Sequence, residues 1–119
     1  MATGEIKAGM SIDLLWTNPS PGSSFGAQTI SLDLSGYSFV IVFFSFDPQS
    51  SVLSQCYLAM APMGGTGQMM GQVNYRVKRQ FTVTATGVAF LSGASASPGG
   101  NLGNSDGAAI PQLIYGVRL

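Results

Sequence analysis

Between Gly71 and Leu91, in GQVNYRVKRQFTVTATGVAFL, apolar and polar residues alternate with period two. Val73, Tyr75, Val77, Phe81, Val83 and Ala85 share one parity; Asn74, Arg76, Lys78, Gln80, Thr82, Thr84 and Thr86 share the other. Successive side chains of a strand point to opposite sides of the pleat, so this pattern predicts a half-buried strand. Gly87 predicts a turn, and Val88 to Leu91 the start of a returning strand. One residue breaks the pattern. Arg79 occupies the apolar parity, which calls for a bulge near Lys78–Arg79 that re-aims it, or for an inward guanidinium met by Asp13, Asp33, backbone carbonyls or another subunit.

The same reading extends along the chain. Residues 1–10 form a short N-terminal arm or first edge strand. Ile12, Leu14 and Trp16 alternate with polar neighbours, and so do Gln28, Ile30, Leu32 and Leu34; the Pro- and Ser-rich stretch Asn18–Ser24 separates the two strands as a rigid loop. Tyr37 to Phe46 is apolar on both parities, which places it at the centre of a sheet. One of its faces belongs to the core, and the other to a loop, a helix or a neighbouring subunit. Phe39, Ile41 and Phe43 are the candidate oligomer contacts. Gln55 to Ala61 predicts a fourth strand, Pro62–Gly71 a flexible Gly/Met loop, and Ser92–Ala108 a second long loop. Leu113, Tyr115, Val117 and Leu119 alternate in a closing strand. No segment carries a helical stripe. About seven or eight strands in one domain spanning residues 1–119 predict an all-β, antiparallel, jelly-roll-like β-sandwich.

Composition changes this picture in one respect. Only 8% of the 119 residues are charged, five cations against five anions, where ordinary soluble domains have about 25%. Little charge keeps copies of the chain apart, which favours an assembly component. The same balance argues against nucleic-acid binding, which needs a basic surplus. Residues 37–46 are too few to cross a bilayer as a helix, which takes about 20. Residues 1–10 lack the basic and apolar regions of a secretory signal.

Candidate chemistry is sparse. The chain has no His, its acids Glu5, Asp13, Asp33, Asp47 and Asp106 are scattered, and its single Cys56 reads as an apolar filler in a buried strand. No catalytic set, metal site or cofactor is expected. Gly64-Gly65-Thr66-Gly67 resembles a fragment of a phosphate loop without its Gly-Lys-Ser/Thr ending. Arg76, Lys78 and Arg79 are the candidate anion-binding residues. Trp16, Tyr37, Tyr57, Tyr75 and Tyr115 are the aromatics that a saccharide groove would draw on.

Leu15-Trp16-Thr17-Asn18-Pro19-Ser20-Pro21, Phe25, Ala27 to Tyr37 and the closing Ile110-Pro111 with Ile114-Tyr115-Gly116 resemble small C-terminal modules of tail, baseplate or fibre proteins from phages and prophages of Gram-positive bacteria. The resemblance covers roughly a third of the chain. Such modules usually close a longer polypeptide, whereas this sequence opens on its own Met1, which leaves a fibre tip and a free-standing virion protein as alternatives. The resemblance implies a non-catalytic virion-associated structural or attachment protein of tail, fibre or head-decoration type. It would be a homo-oligomer, with a trimer favoured, made in the host cytoplasm and partnered by other virion proteins and a host-surface glycan. Two alternatives stand beside it: a small phage-encoded protein sequestering an anionic nucleotide signal, and a carbohydrate-binding module.

Overall fold

A computed structural model of the chain describes residues 10–48, 56–72 and 75–119. The described residues form an all-β, antiparallel sandwich of ten strands. These are β1 (Ser11–Thr17), β2 (Gln28–Ser31), β3 (Phe39–Ser45), β4 (Tyr57–Pro62), β5 (Thr66–Gln72), β6 (Arg76–Thr84), β7 (Gly87–Phe90), β8 (Ala94–Ala96), β9 (Gly103–Asn104) and β10 (Ile110–Arg118). One sheet has the order β1-β10-β3-β4. In the other, β6 pairs β5 along one edge and both β7 and β8 along its other, with β2 beyond β7 and β9 beyond β8. The chain crosses between the layers from β1 to β2, β2 to β3, β4 to β5 and β9 to β10, while β3–β4 and β5–β6–β7 pair with their neighbours in sequence.

Alternation builds the core. Val40, Val42 and Phe44 of β3 face Val77, Phe81 and Val83 of β6 across the sandwich, all nearly or fully buried. Phe25 from the Pro-rich loop closes one side, edge-on to both Trp16 (ring centroids 6.1 Å apart) and Phe90 (5.4 Å). β1 contains an irregularity between Leu14 and Trp16. It turns Trp16 inward, although Trp16 has the parity of Ile12 and Leu14, which are exposed.

Several expectations are corrected. Residues 62–71 are not a flexible loop. Pro62 ends β4, Met63–Gly65 turn, and β5 pairs with β6 in unbroken register from Thr66↔Thr82 to Gln72↔Arg76. Its core-facing positions are Gly67, Met69 and Gly71, and the missing glycine side chains are replaced by rings. A Cβ on Gly67 would lie 2.2 Å from Phe81 Cζ, and one on Gly71 would lie 2.4 Å from Phe46 Cε1. The stretch 92–108 holds two short strands, β8 and β9, so it is not one loop. The second strand stops at Ser31. Leu32 and Leu34 instead donate their N–H groups to Thr86 (3.0 Å) and Ala85 (2.9 Å). Cys56 is half-buried just before β4 rather than within a strand, and burial pushes its thiol up. The predicted arm at 1–9, Gln55, and Val73 and Asn74 of the ribbon lie outside the described residues.

Candidate functional site

The three basic residues of the ribbon do not form one cluster. Register through Met69↔Arg79 and Met70↔Lys78 is continuous, so no bulge re-aims Arg79, and its side chain enters the core at 1% exposure. It meets neither Asp13 nor Asp33. Its Nε donates to Ala109 O (2.8 Å), Nη1 to Leu91 O (2.7 Å), and Nη2 to Ala108 O (3.0 Å) and, at greater length, Asp106 O (3.4 Å). The guanidinium also lies over the Phe25 ring, 5.3 Å from its centroid. Burial pushes its pKa down to about 10, opposed by the charge of Asp106, so it stays protonated at neutral pH.

This arrangement explains why the strand beside β6 is broken into β7 and β8. Between them Leu91–Gly93 bows away and offers Leu91 O to the arginine, while Leu91 N still reaches Gln80 O (2.9 Å). Gly93 passes closest. A Cβ there would lie 2.4 Å from Ser105 O, 2.5 Å from Ala108 O and 2.7 Å from Arg79 Nη2. Arg79 also bonds the carbonyl of Ala109, a non-glycine residue at φ 50°. It is therefore an internal brace joining β6 to the 105–109 turn, with no open donor face for a ligand.

The acids serve the framework as well. Asp13 accepts from the Tyr37 hydroxyl (2.7 Å) and lies 3.9 Å from Arg118, whose guanidinium stacks on the Tyr37 ring above Gly116. Asp33 accepts from the Ser35 N–H and hydroxyl, which hold its carboxyl below the usual range. Asp47 accepts from Tyr75 at 3.2 Å. Among the described residues no three His, Cys, Asp or Glu side chains gather as a metal site would need. The glycine-rich turn does not cradle anions: Gly64 N donates to Val83 O and Gly65 N to Pro62 O. Nor do the aromatics share a groove. Trp16 packs inward, Tyr57 and Tyr75 flank Phe46, Tyr37 covers Gly116, and Tyr115 faces outward.

What remains are the two outer faces, and they are opposite in character. On the four-stranded sheet three rows run across all the strands: Ile12–Val117–Phe39–Pro62, Leu14–Tyr115–Ile41–Met60 and Thr17–Leu113–Phe43–Leu58. Apart from Thr17 and the Tyr115 hydroxyl, these rows carry no polar side-chain group. Ile12, Leu14, Leu58 and Met60 are each more than half exposed. The candidate contacts Phe39, Ile41 and Phe43 form the third strand of this face, half-buried, with Phe43 edge-on to Tyr115, while Val117 and Leu113 beside them are buried under their neighbours. No protein family, curated protein or solved structure matches the chain.

The opposite sheet is polar outside. Rows there read Thr66–Thr82–Ala89–Thr29 and Gln68–Gln80, the latter pair joined at 3.0 Å. Next to them stand Met70–Lys78 and Gln72–Arg76. Arg76 and Lys78, two residues apart on one strand, therefore share this face, while Arg79 is on the other side of the sheet. The Arg76 Nη2 donates to Gly100 O, which draws the 97–102 loop over the strand end. Between them is a cleft of about 280 Å³ lined by Met70, Gly71, Gln72, Arg76, Val77, Lys78 and Leu102.

Proposed function

We propose that this protein is a non-catalytic structural or attachment component of a phage virion, assembled from copies of itself through the outer face of the four-stranded sheet. The observation that carries the reading is the set of three apolar rows. Four strands about 4.8 Å apart and seven residues of about 3.3 Å give a footprint of roughly 440 Å². Side-chain relief raises the accessible area toward the about 800 Å² per partner of a stable interface. A patch of this size left open on a chain of zero formal charge promotes association rather than solubility.

A second copy is the occupant the face fits. It carries no charge with which to select a charged partner, and an identical apolar sheet meets it without stranding a polar group. The resemblance of residues 15–21, 25, 27–37, 110–111 and 114–116 to phage tail and fibre modules supports the virion setting. The dispersal of the acids into framework bonds supports the absence of catalysis.

Sedimentation equilibrium tests the assembly. The wild-type chain is expected at a multiple of 12.3 kDa at micromolar concentration. Leu14→Lys with Met60→Lys, both outward and half exposed, is expected at the monomer mass with an unchanged far-UV circular dichroism spectrum. A wild-type monomer, or a variant that keeps the full mass, overturns this reading. The virion assignment is tested separately, by immunoblotting purified particles from a phage that encodes the chain; particles lacking the protein overturn it.

A further inference from the structure

We propose that the cleft beside Arg76 and Lys78 binds a phosphate monoester through its dianionic head, with an apolar or ring-bearing body lying between Met70 and Leu102. The site is on the opposite sheet from the assembly face, so it goes beyond the assembly reading and does not depend on it.

Four features of the cleft point to that chemistry. Arg76 is held in place by its bond to Gly100 O. That bond uses one of the two Nη2 hydrogens, and no other hydrogen bond engages Nε or Nη1 among the described residues, so one edge of the planar guanidinium keeps the parallel pair of donors that fits a phosphate. Lys78 projects from the same face two residues on, about 7 Å along the strand, with no ion pair or hydrogen bond among the described residues. Its point charge complements the fork, and together the pair matches a dianion. No described carboxylate pairs with them: Asp13 is with Arg118, Asp33 with Ser35, Asp47 with Tyr75, and the exposed Asp106 lies beside Gly26, where its charge acts on Arg79. Finally, the walls are apolar where the cations are not. Met70 and Leu102 are 61% and 41% exposed and flank the opening, and the backbone of Gly71 and Val77 forms the floor, because the Gly71 Cβ position is taken from the core side by Phe46.

The volume of about 280 Å³ is just below the roughly 300 Å³ at which small-molecule sites begin. It suits one phosphate and one ring rather than a polymer segment. Met70 and Leu102 offer no hydrogen bonds to sugar hydroxyls, so a nucleobase is the better body than a hexose.

Amide chemical-shift titration at low ionic strength tests this with three probes: adenosine monophosphate, glucose 6-phosphate and inorganic phosphate. Saturable shifts are expected at residues 70–72, 76–78 and 100–103. Affinity should be highest for adenosine monophosphate, and at least tenfold weaker in Lys78→Gln and in Arg76→Gln, both folded by the same spectra. Met70→Ser should narrow the preference for adenosine monophosphate over inorganic phosphate and leave phosphate binding unchanged. Tighter binding of glucose 6-phosphate overturns the apolar-body assignment. No saturable shift by 10 mM of any probe, or shifts unaffected by Lys78→Gln, overturns the site. Neither result bears on the oligomer mass, so failure here and failure of the assembly reading are distinct.

Discussion

Truncating Arg79 to Ala removes the donors from three close carbonyls, Leu91 O, Ala109 O and Ala108 O, at 2.7, 2.8 and 3.0 Å. The fourth, Asp106 O, still accepts from Phe25 N at 2.8 Å. Bonds to a charged group contribute about 1.5–3 kcal/mol each, an upper range of roughly 5–9 kcal/mol for three. Against this, burial disfavours the charged form, lowering its pKa from 12.5 to about 10. Removing the charge relieves about 3 kcal/mol of that penalty. The expected loss is about 3–5 kcal/mol, the usual cost of deleting one side of a buried charged contact. Lys78→Ala, next on the strand and outward, is expected to shift stability by less than about 0.5 kcal/mol. Arg79→Met sharpens the test. It refills the volume but keeps water from the bare carbonyls, so it is expected to be at least as damaging as Ala; Arg79→Lys, which can satisfy part of the set, should be milder than either. Urea titration at one fixed protomer concentration reads these differences, because assembly makes stability concentration-dependent. With a slope of about 1–3 kcal/mol per molar, the Ala variant moves the midpoint by more than about 1 M. Equal small shifts for Arg79→Ala and Lys78→Ala, or rescue by Met, would refute the brace.

Gly93→Ala is expected to cost about 1–3 kcal/mol or more, since its methyl meets two backbone oxygens at 2.4 and 2.5 Å. Combined with Arg79→Ala, the two losses should be less than additive in urea titration, because one of the clashes is with Arg79 itself. Stability should be flat between about pH 5.5 and 7, because the chain has no His and the ordinary carboxyl, α-amino and thiol values lie outside that range. Below that window stability falls. The Asp33 carboxyl, lowered from 3.8 by Ser35, contributes stability that is present above 3.8 and lost as pH drops through its folded value. On the alkaline side Tyr37, raised from 10.0 mainly by its bond to Asp13, contributes stability that is present below 10.0 and lost as pH rises through its folded value. A midpoint that changes between about pH 5.5 and 7 in buffered thermal melts contradicts this assignment.

Much of the architecture was legible where side chains mark both parities. The alternation within 71–91 and the doubly apolar 37–46 run predict a half-buried strand and a central strand, and the structure has both, as β6 and β3. The glycine strand β5 was hidden because parity is read from side chains. At Gly67 and Gly71 the apolar group belongs to a different residue, Phe81 or Phe46. The partners of Arg79 were only partly legible. An inward cation could be inferred from its parity, but main-chain carbonyls carry no residue signature. The extent of the outer apolar face was obscured by one extra residue in β1. Without the irregularity at Leu15, Ile12, Leu14 and Trp16 would all point the same way, whereas the first two face outward and the third inward.

The close passage of Gly93 over the Arg79 guanidinium makes the two positions unequal in descent. A side chain at 93 meets the carbonyls of Ser105 and Ala108 before it reaches the arginine, so the backbone demands the glycine whatever stands at 79. The arginine in turn is held by main-chain carbonyls of Leu91, Ala108 and Ala109, which any residue supplies but only this path of the chain brings together. Divergent descendants of this chain that exchange the arginine should therefore keep the glycine, while exchange of the glycine should be met only where the 105–109 turn has itself been rebuilt.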